Sequence, residues 1–318
     1  MALLKVEDFL AAGELSLQVL VGGAGLSRAI SSENLTNCGL HLTGFFEHFH
    51  PERIHLLGRA EQAYLASLPV LQRVERLRSL LEKRPAALVV SAGGEVPKDV
   101  EAIAAERGVA LLLTPLEETE FVARAARVLQ ESLAPTTTVH GVLMDVFGVG
   151  ILMMGESGIG KSEVALDLIL RGHRFIADDV VDVSLRPPAT LIGRGAELIQ
   201  HHIEIRGLGI LNVKDLFGVA AVRDQKKIEL VVELIAWAKS EAVDRTGLDE
   251  KTSEILGVHI PHLQIPVSPG RNITSIVEVA ARNRLLQMQG IHSAKEFQEK
   301  LLKDLSERAA PSPEGDVE

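Results

Sequence analysis

The residues with the clearest chemical meaning form a glycine-rich run, which fits the pattern G-x-x-x-x-G-K-[ST] at every fixed position: Gly155, Glu156, Ser157, Gly158, Ile159, Gly160, Lys161 and Ser162. Glycines let successive backbone N–H groups turn toward one anion, and a helix that starts directly after them adds its positive N-terminal end. Lys161 supplies a mobile positive charge for the outer phosphates, and the Ser162 hydroxyl can ligate Mg²⁺. The run therefore predicts a loop that binds the phosphates of a nucleotide.

The neighbouring sequence supplies the elements that must position such a loop. Residues 148–155 are apolar and β-prone, and residues 161–172 carry apolar residues at helical spacing before ending at Gly172. This strand–loop–helix context argues against the alternative of a glycine turn with a solvated lysine. The loop does not identify the reaction, because GTPases, motors, small-molecule kinases and transporters all use it.

Two aspartates and a histidine flank this loop in the sequence. Asp178 and Asp179 follow a short predicted strand, and a carboxylate at that position commonly handles Mg²⁺ or takes a proton from a nucleophile. If the backbone there is extended, only one of the two side chains faces the phosphates. The alternative is an acidic turn in solvent. His140 is a weaker candidate, because a histidine in a strand is more often structural than catalytic.

Residues 203–218 combine charges and glycines in an unusual way. Glu204 and Arg206 share one face of a predicted strand, and Gly207 and Gly209 permit a bend or a close approach. These residues suit a metal–phosphate site and equally suit an edge hairpin with a surface ion pair. Two later loops each carry one arginine, Arg245 or Arg271, and either could hold a phosphate or remain solvated.

The composition excludes several classes of protein. The formal net charge of −10 and an aromatic content of 3% argue against a general nucleic-acid-binding protein. Cys38 is the single cysteine and cannot form an internal disulfide, and no signal peptide or membrane-spanning pattern is visible. We therefore expect a cytoplasmic protein that binds neither nucleic acid nor membrane.

The sequence predicts two α/β domains and a tail. Strands alternate with amphipathic helices over residues 1–134, which predicts an N-terminal α/β domain with a mostly parallel sheet. Pro135 and the threonine run that follows it mark a boundary, so a second domain with the glycine-rich loop spans residues 135–305. Residues 306–318 contain prolines, small residues and acids, and we expect them to be disordered.

Four segments in the second domain resemble one known family. GESGIGKSE, IADDVVDV, IEIRGLGILNVKDLFG and IPVSPGRN follow His140 in this order. Together they resemble the bacterial HPr kinase/phosphorylase family, and EIRGLGILNV is the most specific of them. The first domain resembles the family mainly in length and α/β pattern. The resemblance implies a P-loop kinase domain that is similar to the nucleotide-binding fold of phosphoenolpyruvate carboxykinase.

The resemblance implies a bifunctional protein-serine kinase/phosphorylase that acts in carbon catabolite regulation. Such an enzyme uses ATP and Mg²⁺ to phosphorylate a serine on HPr, the phosphocarrier protein of the sugar phosphotransferase system. It also lets inorganic phosphate attack the phosphoserine, so that pyrophosphate leaves. The implied assembly is a homohexamer. The sequence leaves open whether pyrophosphate can replace ATP as the donor.

The resemblance also implies a role for each matching residue. Gly155 to Ser162 bind the triphosphate, Lys161 stabilises the transferred group, and Ser162 and Glu204 hold Mg²⁺. Asp179 takes the serine proton and returns it in the reverse reaction, while His140 and Arg245 complete the catalytic set. Residues 203–212 serve both reactions, and a later loop matters chiefly for phosphorolysis: Pro266, Val267, Ser268, Pro269, Gly270 and Arg271.

Two other functions compete with this interpretation. A small-molecule kinase or carboxykinase-like enzyme on the same scaffold would turn over a metabolite without HPr, and EIRGLGILNV argues against it. A nucleotide-dependent regulatory module would bind nucleotide without transferring a phosphoryl group. The joint presence of His140, Asp179, Glu204 and Arg245 argues against such a module.

Overall fold

The computed structural model describes residues 4–94, 96–238 and 251–309. The chain divides into two compact units, Met1–Pro135 and Thr136–Glu318. Each unit combines sheets with helices, which confirms the prediction of a mixed α/β architecture. Within the described ranges, no helix is both long enough and apolar enough to cross a membrane.

The first unit contains seven strands and six helices in its described part. The strands are β1 (Leu4–Lys5), β2 (Gln18–Val21), β3 (Ala29–Ile30), β4 (Thr36–Asn37), β5 (Ile54–Leu57), β6 (Ala87–Val90) and β7 (Ala110–Leu113). The helices are α1 (Val6–Leu10), α2 (Gly39–Leu42), α3 (Arg59–Ser67), α4 (Val70–Glu82), α5 (Lys98–Arg107) and α6 (Glu118–Leu133).

A five-stranded sheet organises the first unit in the order β2-β7-β6-β5-β4. Strands β4 to β7 are parallel and β2 is antiparallel to β7, so the sheet is mostly parallel. All four residues of β5 and of β6 are buried, because apolar clusters pack on both faces of the sheet. Continuous rather than alternating apolar residues are expected for parallel strands covered on both sides.

The second unit contains twelve strands and four helices in its described part. The strands are β8 (Thr136–His140), β9 (Val142–Val146), β10 (Val149–Gly155), β11 (Arg174–Ala177), β12 (Val180–Arg186), β13 (Thr190–Gly195), β14 (His202–Ile205), β15 (Gly209–Asn212), β16 (Gln225–Lys227), β17 (Leu230–Ala236), β18 (Thr252–Ile255) and β19 (Val258–Val267). The helices are α7 (Lys161–Leu170), α8 (Val213–Phe217), α9 (Ile273–Met288) and α10 (Ser293–Ala309).

The described residues of the second unit form three sheets. A six-stranded sheet has the order β11-β9-β10-β17-β19-β18, a four-stranded sheet has the order β16-β13-β12-β8, and β14 pairs with β15 in a hairpin. Helices α7 and α9 cover one face of the six-stranded sheet through Leu168 and Val277, both of which belong to its main apolar cluster. Burial of that cluster is the main driving force that fixes the helices on the sheet.

The parallel strands bring the candidate segments to one edge of the sheet. Strand β10 is parallel to β17, and β17 is parallel to β19. Their carboxyl ends therefore lie at the same edge, where open α/β sheets usually bind ligands. The glycine-rich loop follows β10, and the loop at Ser268–Arg271 follows β19.

The C-terminal tail differs in part from expectation. Helix α10 continues to Ala309, so residues 306–309 are helical where the sequence predicted disorder. Glu307, Arg308 and Ala309 favour a helix, and the prolines that motivated the prediction lie beyond it. Residues 310–318 lie outside the described residues.

Candidate functional site

The glycine-rich loop joins β10 to α7 and depends on left-handed backbone at three glycines. Gly155, Gly158 and Gly160 have φ angles of +143°, +79° and +107°. A side chain at Gly155 would also place its Cβ 2.5 Å from the carbonyl oxygen of Leu234 on β17. Glycine adopts such φ angles more readily than any other residue, so glycine is favoured at these positions. The resulting turn exposes the first N–H groups of α7.

Lys161 is the first residue of α7, and its ammonium group closes the loop. Its Nζ donates hydrogen bonds to the carbonyl oxygens of Gly155 at 2.9 Å and Glu156 at 3.1 Å. The positive charge therefore lies at the mouth of the loop, beside the N-terminal end of a ten-residue helix. Both features favour a bound polyanion.

Asp178 connects the helix, the loop after β11 and the hairpin. Ser162 Oγ donates to both carboxylate oxygens of Asp178 at 3.1 Å, and the Glu204 backbone N–H donates to Asp178 Oδ2 at 3.1 Å. The Asp178 residue is only 7% exposed. Burial raises the pKa of its carboxyl group, while the hydrogen bonds from Glu204 and Ser162 oppose that shift.

Asp179 stands in a left-handed conformation with φ of +64° and projects into solvent. The Val180 N–H donates to the Asp178 carbonyl at 2.8 Å, which makes a tight turn around Asp179. Because the backbone is not extended, Asp178 and Asp179 both line the same cleft, although alternation would have sent them to opposite faces. His140 ends β8, and its Nδ1 lies 4.0 Å from Asp179 Oδ1.

The hairpin of β14 and β15 presents charged residues to the loop. Ile203 and Ile205 are buried in the main cluster, while Glu204 and Arg206 are exposed. The Arg206 guanidinium lies against the loop, because a Cβ on Gly158 would meet its Nη2 at 2.7 Å. Of the two interpretations left open by the sequence, this location favours a role beside the loop.

These elements enclose a cleft of about 300 Å³. Its lining residues are Ser157, Gly158, Gly160, Lys161, Ser162, Glu163, Asp178, Asp179, Glu204 and Arg206. The cleft is therefore built from N–H groups, two cationic side chains and four carboxylates. Such a set can bind phosphates together with a divalent cation.

The oxygen donors of the cleft suit Mg²⁺. Ser162 offers a hydroxyl and Glu204 an exposed carboxylate, and Asp178 holds both residues in place through hydrogen bonds. Among the described residues, no group of three or more His, Cys, Asp or Glu side chains forms a closed metal cage. Mg²⁺ usually takes one or two protein carboxylates together with substrate phosphates and water, so the residues present fit this ion.

The loop Pro266–Arg271 lies next to this cleft. Pro266 and Val267 end β19, and Arg271 Nη1 donates to the Pro266 carbonyl at 3.3 Å. A second cleft, of about 380 Å³, is lined by Gly270, Arg271 and Glu163 among others. Glu163, in the first turn of α7, lines both clefts. Gly270 and Arg271 therefore lie across this turn from the first cleft. Arg245 lies outside the described residues.

The sequence pattern alone assigns no individual role to three residues that line the cleft, namely Glu163, Asp178 and Arg206. Asp178 was one of two aspartates of which only one was expected to face the phosphates, and its partners come from distant segments. Arg206 was grouped with Glu204 by strand alternation, but its contact with Gly158 depends on how the hairpin folds over the loop. In the sequence, Asp178 and Arg206 are marked only by their charge and by their position beside glycines or strand ends.

Comparisons with known proteins agree across most of the chain. Residues 4–129 match the family model "HPr Serine kinase N terminus", and residues 131–301 match "HPr Serine kinase C-terminal domain". A Geobacter sulfurreducens protein named HPr kinase/phosphorylase is 48% identical over 301 residues, which cover 94% of this chain and 94% of that protein. A Bacillus subtilis protein of the same name is 40% identical and covers 95% of this chain and 96% of its own length.

A solved structure of the HPr(Ser) kinase/phosphatase from Coxiella burnetii is also similar. It is 36% identical, with a TM-score of 0.46, and covers 51% of this chain and 99% of that chain. The family matches and the identities together confirm the resemblance found in the sequence. The chain therefore belongs to the HPr serine kinase family and is a kinase/phosphorylase enzyme.

Proposed function

We propose that this protein transfers the γ-phosphoryl group of ATP to a serine of HPr and reverses the modification by phosphorolysis. The observation that supports this most directly is the convergence of Lys161, Ser162, Asp179 and Glu204 around one open cleft. The names of the relatives, HPr kinase/phosphorylase, support HPr as the protein substrate. A role in carbon catabolite regulation follows from that substrate.

In the kinase direction, the loop and the α7 N-terminus hold the triphosphate while Lys161 neutralises charge on the transferred group. The serine oxygen forms its bond to the γ-phosphorus as the bond from that phosphorus to the bridging oxygen of ADP breaks. Asp179 accepts the hydroxyl proton, since its carboxylate is exposed at the mouth of the cleft. His140 lies beside Asp179 and helps to orient it, and Arg245 adds positive charge.

Ser162 and Glu204 would hold Mg²⁺, and Asp178 would orient both of them. When bound, the ion supplies positive charge against the phosphate oxygens. Asp178 itself acts through the Ser162 hydroxyl and the Glu204 N–H, so it is a positioning residue.

In the reverse direction, an oxygen of inorganic phosphate attacks the phosphorus of phosphoserine. The bond from that phosphorus to the serine oxygen breaks, Asp179 returns the proton to that oxygen, and pyrophosphate leaves. The attacking phosphate needs a second anion site close to the first. Arg271 and Gly270 line the neighbouring cleft across Glu163, which supports the loop Pro266–Arg271 as that site.

We further propose a P-loop kinase domain similar to the nucleotide-binding fold of phosphoenolpyruvate carboxykinase, spanning residues 135–305. A homohexamer in the cytoplasm is part of the same proposal. A small-molecule kinase remains the competing function on this scaffold. The family membership and the cleft-facing hairpin of residues 203–212 favour a protein substrate instead.

The decisive experiment incubates the protein with HPr, Mg²⁺ and labelled ATP, and then adds phosphate. We expect label on an HPr serine, followed by its release as pyrophosphate. Asp179→Asn should lose both reactions and retain ATP binding. Asp182→Asn is the matched control, because Asp182 lies on β12 and accepts a hydrogen bond from Thr138. Normal transfer by Asp179→Asn, or no transfer by the unsubstituted protein, would contradict the proposal.

A further inference from the structure

An exposed apolar surface adjoins the cleft on the hairpin side. Leu208 and Ile210 belong to the hairpin and are 66% and 72% exposed. Leu216 lies on α8, and Val219 lies in the 3₁₀ turn that follows it, and both are also exposed. We call Leu208, Ile210, Leu216 and Val219 the apolar rim.

The hairpin register places part of this rim on the face that carries Glu204. Ile210 lies directly opposite Glu204, and residues opposite each other in an antiparallel pair project to the same side. Ile203 and Leu211 form the neighbouring pair and pack on the main apolar cluster. The hairpin thus turns one apolar face to the core and keeps Ile210 beside a carboxylate of the cleft.

The rim is continuous along the chain from the hairpin into α8. Asn212 ends β15 and caps α8, because its side chain accepts a hydrogen bond from the Asp215 N–H at 3.2 Å. The Val213 N–H donates to the His201 carbonyl at 2.8 Å, which fixes the start of α8 against the hairpin. Arg206, directly after β14, contacts Gly158 of the loop. A molecule that reaches Asp179 through the cleft mouth therefore meets the same hairpin.

We infer that the apolar rim is the docking surface for the acceptor protein, and that it receives apolar side chains flanking the phosphorylated serine. The inference rests on the proposed function. A protein acceptor cannot fit inside a cleft of about 300 Å³, so only its serine enters and the surrounding surface must rest on the rim of the cleft. Stable protein interfaces cover roughly 800 Å² per partner and have an apolar centre.

These four side chains are exposed and add little to the packing of the fold. Exposed isoleucine and leucine contribute little to folding, and contiguous exposed apolar patches usually mark interaction sites. A polar residue at position 210 would leave the inward-facing pair of Ile203, which is buried, and Leu211, which is partly buried, unchanged. The apolar character of the rim is therefore explained by contact with the acceptor rather than by packing.

The test compares transfer kinetics of Leu216→Ser/Val219→Ser, which lie outside the hairpin of residues 203–212, with those of the unsubstituted full-length protein, using HPr and Mg²⁺–ATP. We expect the KM for HPr to rise about tenfold or more, because two apolar contacts are lost. The kcat at saturating HPr and the Kd for Mg²⁺–ATP should change less than about twofold. Leu216→Met/Val219→Ile should restore the KM. Leu170→Ser is the matched control, since Leu170 on α7 is also 66% exposed.

Several outcomes would overturn the inference. An unchanged KM for HPr would overturn it while leaving the proposed function intact. A parallel loss of ATP affinity would show that the hairpin had been distorted and that these residues are structural. A changed oligomeric state by light scattering, together with the KM effect, would assign the rim to contacts between copies of this chain. No transfer by the unsubstituted protein would overturn both proposals.

Discussion

At the scale of single residues, Asp178 has the most connections in the cleft. Its two oxygens accept the Ser162 hydroxyl and the Glu204 N–H, so one buried carboxylate links the first turn of α7 to the hairpin. Neither Ser162 nor Glu204 is close to Asp178 in sequence, and both are the proposed Mg²⁺ ligands. The structure therefore distinguishes the adjacent aspartates, because Asp178 is buried and hydrogen-bonded whereas Asp179 is exposed.

Asp178→Asn tests the positioning role. The Asp178 carboxylate accepts hydrogen bonds from the Ser162 hydroxyl and the Glu204 N–H. The amide of asparagine would replace one acceptor oxygen with a donor, so Ser162 and Glu204 should lose their orientation. We expect the Mg²⁺ concentration for half-maximal ATP binding to rise about 10- to 100-fold, as for other residues that orient metal ligands. Isothermal titration at several Mg²⁺ concentrations measures this. Asp179→Asn is the control and should keep the Mg²⁺ dependence, and equal behaviour of the two variants would contradict the assignment.

Gly158→Ala tests the contact between the loop and Arg206. Gly158 has φ of +79°, and its added Cβ would lie 2.7 Å from Arg206 Nη2. Gly172→Ala is the control, because Gly172 has φ of +89° with no atom within 4 Å of an added Cβ. Both variants carry a similar backbone cost of about 1 kcal/mol. Only Gly158→Ala should weaken ATP binding, by about threefold to tenfold, as measured by titration calorimetry.

At the scale of elements, the sequence predicts what local periodicity and turn chemistry determine. The strand–loop–helix of β10 and α7 follows from an apolar run, glycines and helical spacing. The turn at Asp179 does not follow from them, because its left-handed backbone is held by the surrounding sheet pairings of β8 and β12. The approach of Arg206 to Gly158 is likewise a tertiary contact, which no local pattern encodes.

A partly buried ion network links the segment that follows α7 to α9 and can be tested by Glu278→Gln. Glu278 accepts hydrogen bonds from buried His173 at 2.9 Å and from Arg171 at 3.0 Å. We expect the variant to lower the free energy of unfolding at pH 7 by about 1–3 kcal/mol, because His173 and Arg171 lose their charged partner. Urea unfolding measures this. Asp167→Asn is the control, since it removes a more exposed partner of Arg171 and should cost less than about 1 kcal/mol.

The same network sets a pH dependence. The hydrogen bond from His173, followed by the contacts with Arg171, lowers the pKa of Glu278 from 4.5. A lowered pKa favours the carboxylate in the folded state, so this stabilisation is complete above pH 4.5 and is lost as the pH falls through the folded pKa. The difference in unfolding free energy between the original protein and Glu278→Gln should therefore shrink below pH 4.5. A difference that stays constant would contradict this role.

At the scale of the whole molecule, the two units differ in how far the sequence explains them. In the second unit, the chemistry of the cleft was predicted from motifs, and the structure adds the contacts of Asp178 and Arg206. In the first unit, the pattern predicts a parallel sheet but no chemistry. Its distinctive feature is a cluster of aromatic and histidine rings, in which His55 lies 4.5 Å from Phe49 and 5.4 Å from His41 between ring centroids. Sequence periodicity does not reveal this cluster.

That cluster should make the first unit sensitive to acid. His55 is fully buried on β5, and burial lowers its pKa to about 4 from 6.5. Below pH 6.5, His55 of the unfolded chain binds a proton, whereas His55 of the folded chain does not bind one until about pH 4. The free energy of unfolding therefore decreases as the pH falls from 6.5 toward 4. We expect a loss of about 2 kcal/mol in the free energy of unfolding at pH 5 relative to pH 7.5.

Urea unfolding of the full-length protein at these two pH values, followed by the emission of Tyr64, measures this loss, because Tyr64 is the only tyrosine and lies on α3 of the same unit. His55→Gln keeps a donor for the His50 carbonyl, which lies 3.0 Å from His55 Nε2, and removes the titrating ring. The variant should be less stable at pH 7.5 and should lose less stability on acidification. Equal acid sensitivity in both proteins would show that other groups, such as His41, control the acid response of this unit.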